Sequence, residues 1–140
     1  MLIYNTESFS VKYDSQQNWL HLYCSEKLHA GKFKEGLVSA LDYAEQKQIK
    51  RWLLDFRVIG SLDEQEEVWL QGYFYPLLMG ALGTNNFVAV VVSEKCYDAL
   101  LLEAGKFGLR SYNSFIIMHT FCHLEDAVDW LNKDAVSLVR

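Results

Sequence analysis

The sequence predicts an α/β domain in which a mixed β-sheet, opened by an N-terminal β-hairpin, is covered by about four helices. Three observations carry that expectation. Phe9, Val11 and Tyr13 alternate with polar residues, and after DSQQN the run Trp19–Cys24 resumes a β-rich texture, which describes two strands joined by a turn. Stretches of helical periodicity then alternate with short β-rich runs along the rest of the chain. FVAVVV at 87–92 is a continuous apolar run, as expected of a central strand covered on both faces.

From about Ala30 to Gln48, Phe33, Leu37, Leu41 and Ala44 recur at helical spacing, with Lys and Glu on the other side, an amphipathic helix. Arg51 to Phe56 is a short apolar strand. Leu62 to about Met79 is a second helix, with Leu62, Trp69, Tyr73 and Pro76 close to one stripe. After the central strand, Ser93 caps a third helix whose apolar side carries Tyr97, Leu100, Leu101 and Ala104, ending at Gly105 before the basic segment KFGLR. Phe115 to Phe121 is another strand, and Leu124, Ala127, Val128 and Leu131 are the stripe of a last helix. The order is ββαβαβαβα. Strands separated by helices are therefore expected to be parallel with right-handed connections, and the hairpin to add an antiparallel pair.

Composition narrows the function classes. A chain of 140 residues, 51% hydrophobic, is expected to be one domain over residues 1–140, burying about two-thirds of its unfolded surface. With one proline and no Ser/Gly-rich tract or repeat, no linker divides it. A net charge of −5 with 13 Lys and Arg argues against a phosphate-tracking surface, so no nucleic-acid partner is expected. Cys24, Cys96 and Cys122 form no close pair and are odd in number, which fits a reducing cytoplasm. The N-terminal MLIYNTESFSVKYD has no signal-peptide pattern, and the apolar runs are shorter than a membrane span.

Four groups of residues have chemical potential. Asp55 and Arg57 flank Phe56 at the end of a strand, and alternation sets them on one face. They read either as a structural ion pair or, because ligands favour that edge of open sheets, as an anchor for an anionic group. Ser61-Leu62-Asp63-Glu64 reads as an S-x-x-E capping box. His119, Cys122 and His123 have a metal-like H-x-x-C-H spacing, but no fourth ligand is evident, and a strand turns Cys122 away from the two histidines. Trp69, Tyr73, Phe74 and Tyr75 surround their helix, so some must cover a surface other than the core. That surface reads as a self-association patch or as an apolar groove anchored by Arg57. His21 and His29 have no acidic or nucleophilic partner that the sequence names. Gly80, Gly83 and 105–108 lack the placement of a phosphate loop.

The segments WLLDFRVIG, EQEEVWLQGYFYP, FVAVVVSE and FCHLEDAVDWL together resemble the SpoIIAA-like family of small bacterial proteins. That family is grouped with STAS domains and with lipid-carrying domains of related fold. The resemblance spans nearly the whole chain, through Asp55 and Arg57 after the third strand, Trp69 and Pro76 in the second helix, and Ala127-Val128-Asp129-Trp130-Leu131 in the last. It implies a four-helix, mixed-sheet STAS-like fold and a regulatory or ligand-binding role without catalysis, and it identifies no ligand. STAS antagonists carry a phosphoacceptor Ser at the start of the second helix. That Ser sits in an Asp-Ser-Ser-Gly-like turn, whereas this sequence has Ile59-Gly60-Ser61-Leu62-Asp63, with a single Ser near that place and no glycine after it. A phosphate at a helix start would gain from the dipole and from Arg57, but would face Asp63, Glu64, Glu66 and Glu67.

The expectation is therefore a cytoplasmic, non-catalytic module without cofactor, acting through a protein partner or its own homodimer. The alternative is a carrier or sensor of a small apolar or lipid-like ligand. Arg57, Trp69, Tyr73 and Asp55 are the candidate ligand residues, Ser61 is a candidate phosphorylation site set against its reading as a helix cap, and Phe74 and Tyr75 are the candidate interaction surface.

Overall fold

Asp14 builds the first turn. Its Oδ1 accepts from the amides of Gln16 (3.0 Å) and Gln17 (3.1 Å), and Asn18 takes the left-handed φ of 57° that closes the loop. The strands so joined, β2 (Phe9–Asp14) and β3 (Trp19–Cys24), pair antiparallel from Phe9↔Cys24 to Asp14↔Trp19. A computed structural model describes residues 1–27, 30–105 and 109–139 of the chain. His29 and 106–108 of the basic segment lie outside the described residues.

The fold is α/β with a mixed sheet. Further strands are β1 (Leu2–Asn5), β4 (Arg51–Asp55), β5 (Asn86–Val91), β6 (Arg110–Tyr112) and β7 (Ile116–Phe121). They lie in the order β1-β2-β3-β4-β5-β7-β6. β3, β4, β5 and β7 run parallel, while β1 and β6 pair antiparallel at the two edges. The expected order lacked β1 and β6, each too short to show a periodicity of its own. The helices are α1 (Ala30–Lys47), α2 (Glu64–Trp69), α3 (Tyr75–Leu82), α4 (Glu94–Ala104) and α5 (Leu124–Val139). Among the described residues no helix is long and apolar enough to cross a membrane.

Alternation along the strands makes two unequal faces. Leu20, Leu22, Trp52, Leu54 and Val88 form the larger core with Phe33, Leu37 and Ala40 of α1 and with Phe74 and Leu78. Gly36 lets α1 lie close to the sheet, since a Cβ there would stand 2.3 Å from Cε1 of Phe9. On the other face Trp19, Leu53, Phe87, Ala89 and Val91 pack with Ala127 and Leu131 of α5. Arg51 ties that layer together by donating to the carbonyls of Leu131 (3.0 Å) and Gln17. α4 differs from the other long helices in having no fully buried residue.

The expected second helix is a rod in three parts, α2, a π-helical turn (Leu70–Phe74) and α3. In the turn the amide of Tyr75 donates to the carbonyl of Leu70, five residues back, which fits one extra residue into the helix. Pro76 follows at once. Its ring would crowd, and its missing N–H would leave unserved, the carbonyl four residues earlier, and the wider turn relieves that conflict. The cap also differs from expectation. Asp63, not Ser61, is the N-cap: its carboxylate accepts from the Glu66 amide (2.8 Å) while Glu66 accepts from the Asp63 amide (2.9 Å). Both Ser61…Glu64 and Asp63…Glu66 fit a capping box. Burial of Leu62 in the core holds the chain extended until after it and selects the second.

Candidate functional site

Strand β4 delivers Asp55 to the α5 face, where it is 1% exposed. Arg57 answers it fully. Asp55 Oδ1 accepts from the Arg57 amide (3.1 Å) and Nε (2.9 Å), and Oδ2 accepts from Nη2 (2.8 Å). This bidentate pair holds the strand-to-loop junction, and the hydrogen bonds to Asp55 raise the Arg57 pKa further. Of the two readings of the pair, the geometry is that of the structural one. His21, one strand away, has its pKa lowered by burial, against a smaller opposing effect of Asp55.

The expected ligand residues are not brought together. Asp55 and Arg57 are on the α5 side of the sheet, whereas Trp69 packs with the opposite core. Its ring lies 6.0 Å from Phe33 and 5.8 Å from Phe74, with Lys34 Nζ 5.7 Å above it. Tyr73 is 53% exposed, but Phe74 and Tyr75 are 1% and 6% exposed, which corrects their assignment to an interaction surface. The π turn is the reason, because its extra residue lets two consecutive aromatics both face inward.

The three residues of the metal-like spacing separate. The His119 ring stacks on Phe121 at 4.2 Å and meets Trp130 of α5 edge-on at 5.7 Å. His123 Nε2 stands 3.7 Å from Glu94 Oε1, and burial raises the Cys122 thiol pKa. Among the described residues no three His, Cys, Asp or Glu side chains are placed to hold a metal ion.

A cleft of about 510 Å³ opens between the rod and α4, over the carboxyl ends of β4, β5 and β7. Its floor is apolar, built by Phe56, Val90, Val92 and Met118, with Thr120 beside them. Leu62, Glu67, Leu70, Gln71 and Tyr75 form one wall, and Cys96, Ala99, Leu100 and Glu103 of α4 form the other. Gly60, at a φ of 92°, brings the β4–α2 loop against the start of α4, where a Cβ would stand 3.3 Å from Cys96 Sγ. The Ser93 amide donates to the Gly60 carbonyl (2.9 Å).

Ser61 lies on the rim. It also lines a second hollow of about 470 Å³ toward Glu26, Lys27 and Val58. Its hydroxyl donates to the Leu62 carbonyl at 3.4 Å, and Arg57, the expected partner of a phosphate there, is engaged by Asp55. Sequence reasoning missed Glu67, Leu70 and Leu100 as site residues. The only available signal was α4, whose Cys96 and Ala99 are small where a tightly packed helix would carry larger groups.

Desolvation at the cleft wall, and secondarily Glu66, raise the pKa of Glu67. Among the described residues no hydrogen bond or ion pair reaches its carboxylate. The Tyr75 hydroxyl is pushed far up by burial and by Glu67. No protein-family model, curated protein or solved structure matches the chain.

Proposed function

We propose that the chain is a non-catalytic, STAS-like binding module that takes a small, mostly apolar ligand in the cleft between the rod and α4. The cleft carries this reading. Its volume of about 510 Å³ is within the range of small-molecule sites, which are largely apolar with a few polar groups, and it lies at the carboxyl edge of parallel strands, where such sites concentrate. The STAS-like part rests on the quoted sequence segments and is compatible with a mixed sheet whose parallel strands alternate with helices. The non-catalytic part is supported by Ser61, the hydroxyl on the rim, donating to a backbone carbonyl rather than to a base.

A regulatory role through self-association draws support from Val68, Tyr73 and Leu77, exposed along the rod. The ligand reading is favoured because Phe74 and Tyr75 are committed to the interior. Native mass spectrometry of gently isolated protein tests it. Added mass is expected on the unaltered chain and not on Ala99→Trp, which fills the cleft; bare protein in both would sink the reading.

A further inference from the structure

The exposed side of the rod is unlike the surface of the chain at large. From Val68 to Val92 there is no acidic or basic residue, although 22% of the chain is charged. Much of that segment is interior, but Val68, Tyr73 and Leu77 are 63%, 53% and 41% exposed, and Gly72, Pro76 and Gly80 are exposed among them. A helix side that faces water ordinarily carries charge, and a contiguous apolar one marks a contact with another protein.

Shape and charge both select a second copy of this chain as that protein. Every fourth residue from Val68 to Gly80 is exposed, and the four alternate in size: Val68, Gly72, Pro76, Gly80. A Cβ at Gly72 or Gly80 would meet no atom within 4 Å, so each glycine is a notch between projecting side chains. Laid antiparallel on itself about a twofold axis beside Phe74, the rod sets the Val68 of each copy over the Gly80 of the other, and each Pro76 over a Gly72. A twofold contact is isologous, so each fit is made twice. Two copies of net charge −5 repel wherever their acidic surfaces meet, and this side is uncharged. The rod's two ends differ in sign. Glu64 opens it, and at its close the Lys50 ammonium donates to the Thr84 carbonyl (2.9 Å). The register that sets Val68 over Gly80 also brings the Glu64 of each copy to the Thr84, and so to the Lys50, of the other.

We infer that the chain forms a twofold dimer through the exposed side of the rod, with the rods antiparallel, Val68 seated over Gly80 and Glu64 beside Lys50. This gives the self-association reading a face and a register and rests on it. None of these residues lines the cleft, so the ligand reading stands or falls separately. The contact is short, about 18 Å from Val68 to Gly80 at ~1.5 Å per residue, which places it among small, transient interfaces. Assembly is therefore reversible and follows concentration.

Analytical ultracentrifugation of the full chain, from micromolar to near-millimolar concentration, tests it. The unaltered chain is expected to pass reversibly from the mass of one copy to that of two. Gly80→Arg fills the notch under Val68 and puts charge on the uncharged side; it should stay monomeric throughout, with no fall in melting temperature, because arginine is the better helix former at an exposed site. Glu64→Lys sets like charges together at both ends of the contact and should weaken dimerisation about fivefold, the order of two rim charge pairs. Adding Lys50→Glu to that variant should restore the dimer, a reciprocal rescue that only this register predicts. A dimer that survives Gly80→Arg, or is indifferent to Glu64→Lys, or is not rescued by Lys50→Glu, overturns the inference while leaving self-association in place. Assembly beyond two copies overturns it in the same way. An unaltered chain that stays at the mass of one copy at every concentration overturns both.

Discussion

The two flanks of the rod from Glu64 to Leu82 are packed by different rules. Toward α1, Trp69 meets Phe33, and Phe74 meets Trp52 edge-on at 5.9 Å, so rings fill the space between helix, helix and sheet. Toward α4, the rod's Leu70 and Tyr75 look across to Cys96 and Ala99, whose side chains are too short to reach them. The floor is equally apolar on both sides, yet one flank closes and the other stays open. The difference teaches that hydrophobic residues on a strand do not by themselves make a core. The covering helix must present enough volume, and α4 does not.

The largest effect expected is on the closed flank. Phe74→Ala removes a ring that is fully enclosed and should cost about 3–5 kcal/mol of stability in urea unfolding. Leu100→Ala on the cleft wall should cost clearly less, since that side chain already borders open space. Equal losses would show that the cleft is closed in solution and would break the comparison.

Adding volume reverses the test at intermediate size. Gly36→Ala puts a methyl group into the Phe9 ring, and overpacking there should destabilise by about 1–3 kcal/mol despite alanine's better helix propensity. Ala99→Leu on the open flank should stay within about 1 kcal/mol of the unaltered protein, because the cleft has room for it. Thermal unfolding of the two variants side by side decides the matter.

The smallest effect is electrostatic. Glu67 is raised from its ordinary 4.5, so the folded state holds that proton more tightly than the unfolded chain does. Ionisation therefore works against folding at neutral pH, and the strain disappears once both states are protonated. Glu67→Gln should raise the melting temperature slightly near pH 7, and this gain should fade as the pH falls through the raised value toward 4.5. A gain that persists unchanged into acid would mean that the carboxylate is not desolvated.

Sequence reasoning reached the parts of this structure that local chemistry decides. DSQQN folds as a turn because Asp14 caps its own following amides, and Ser93 and Gly105 bound α4 as an N-cap and a left-handed stop at a φ of 68°. Alternation correctly set Asp55 and Arg57 on one face. What escaped depends on phase and on distant partners. The aromatics 73–75 were read with a regular helical period, which the π turn interrupts, so Tyr75 was expected outside and is inside. The choice of Asp63 over Ser61 as cap was made by the burial of Leu62, a tertiary fact. The cleft itself was invisible because it is a shortage of volume between two helices far apart in the chain, and no motif encodes a shortage.

The π turn has one more consequence, for what insertions and deletions the chain can bear. In a regular helix Leu70 and Tyr75, five residues apart, would point about 140° away from each other, yet both line the cleft. Gln71, Gly72 and Tyr73 between them are exposed, and at the level of side chains they look expendable. Deleting any one of them would leave Leu70 and Tyr75 four residues apart on a regular helix, about 40° from each other and still on one face, but it would close the wide turn and return Pro76 to a place where its ring collides with the carbonyl four residues earlier. In this stretch the number of residues is under tighter constraint than their identity.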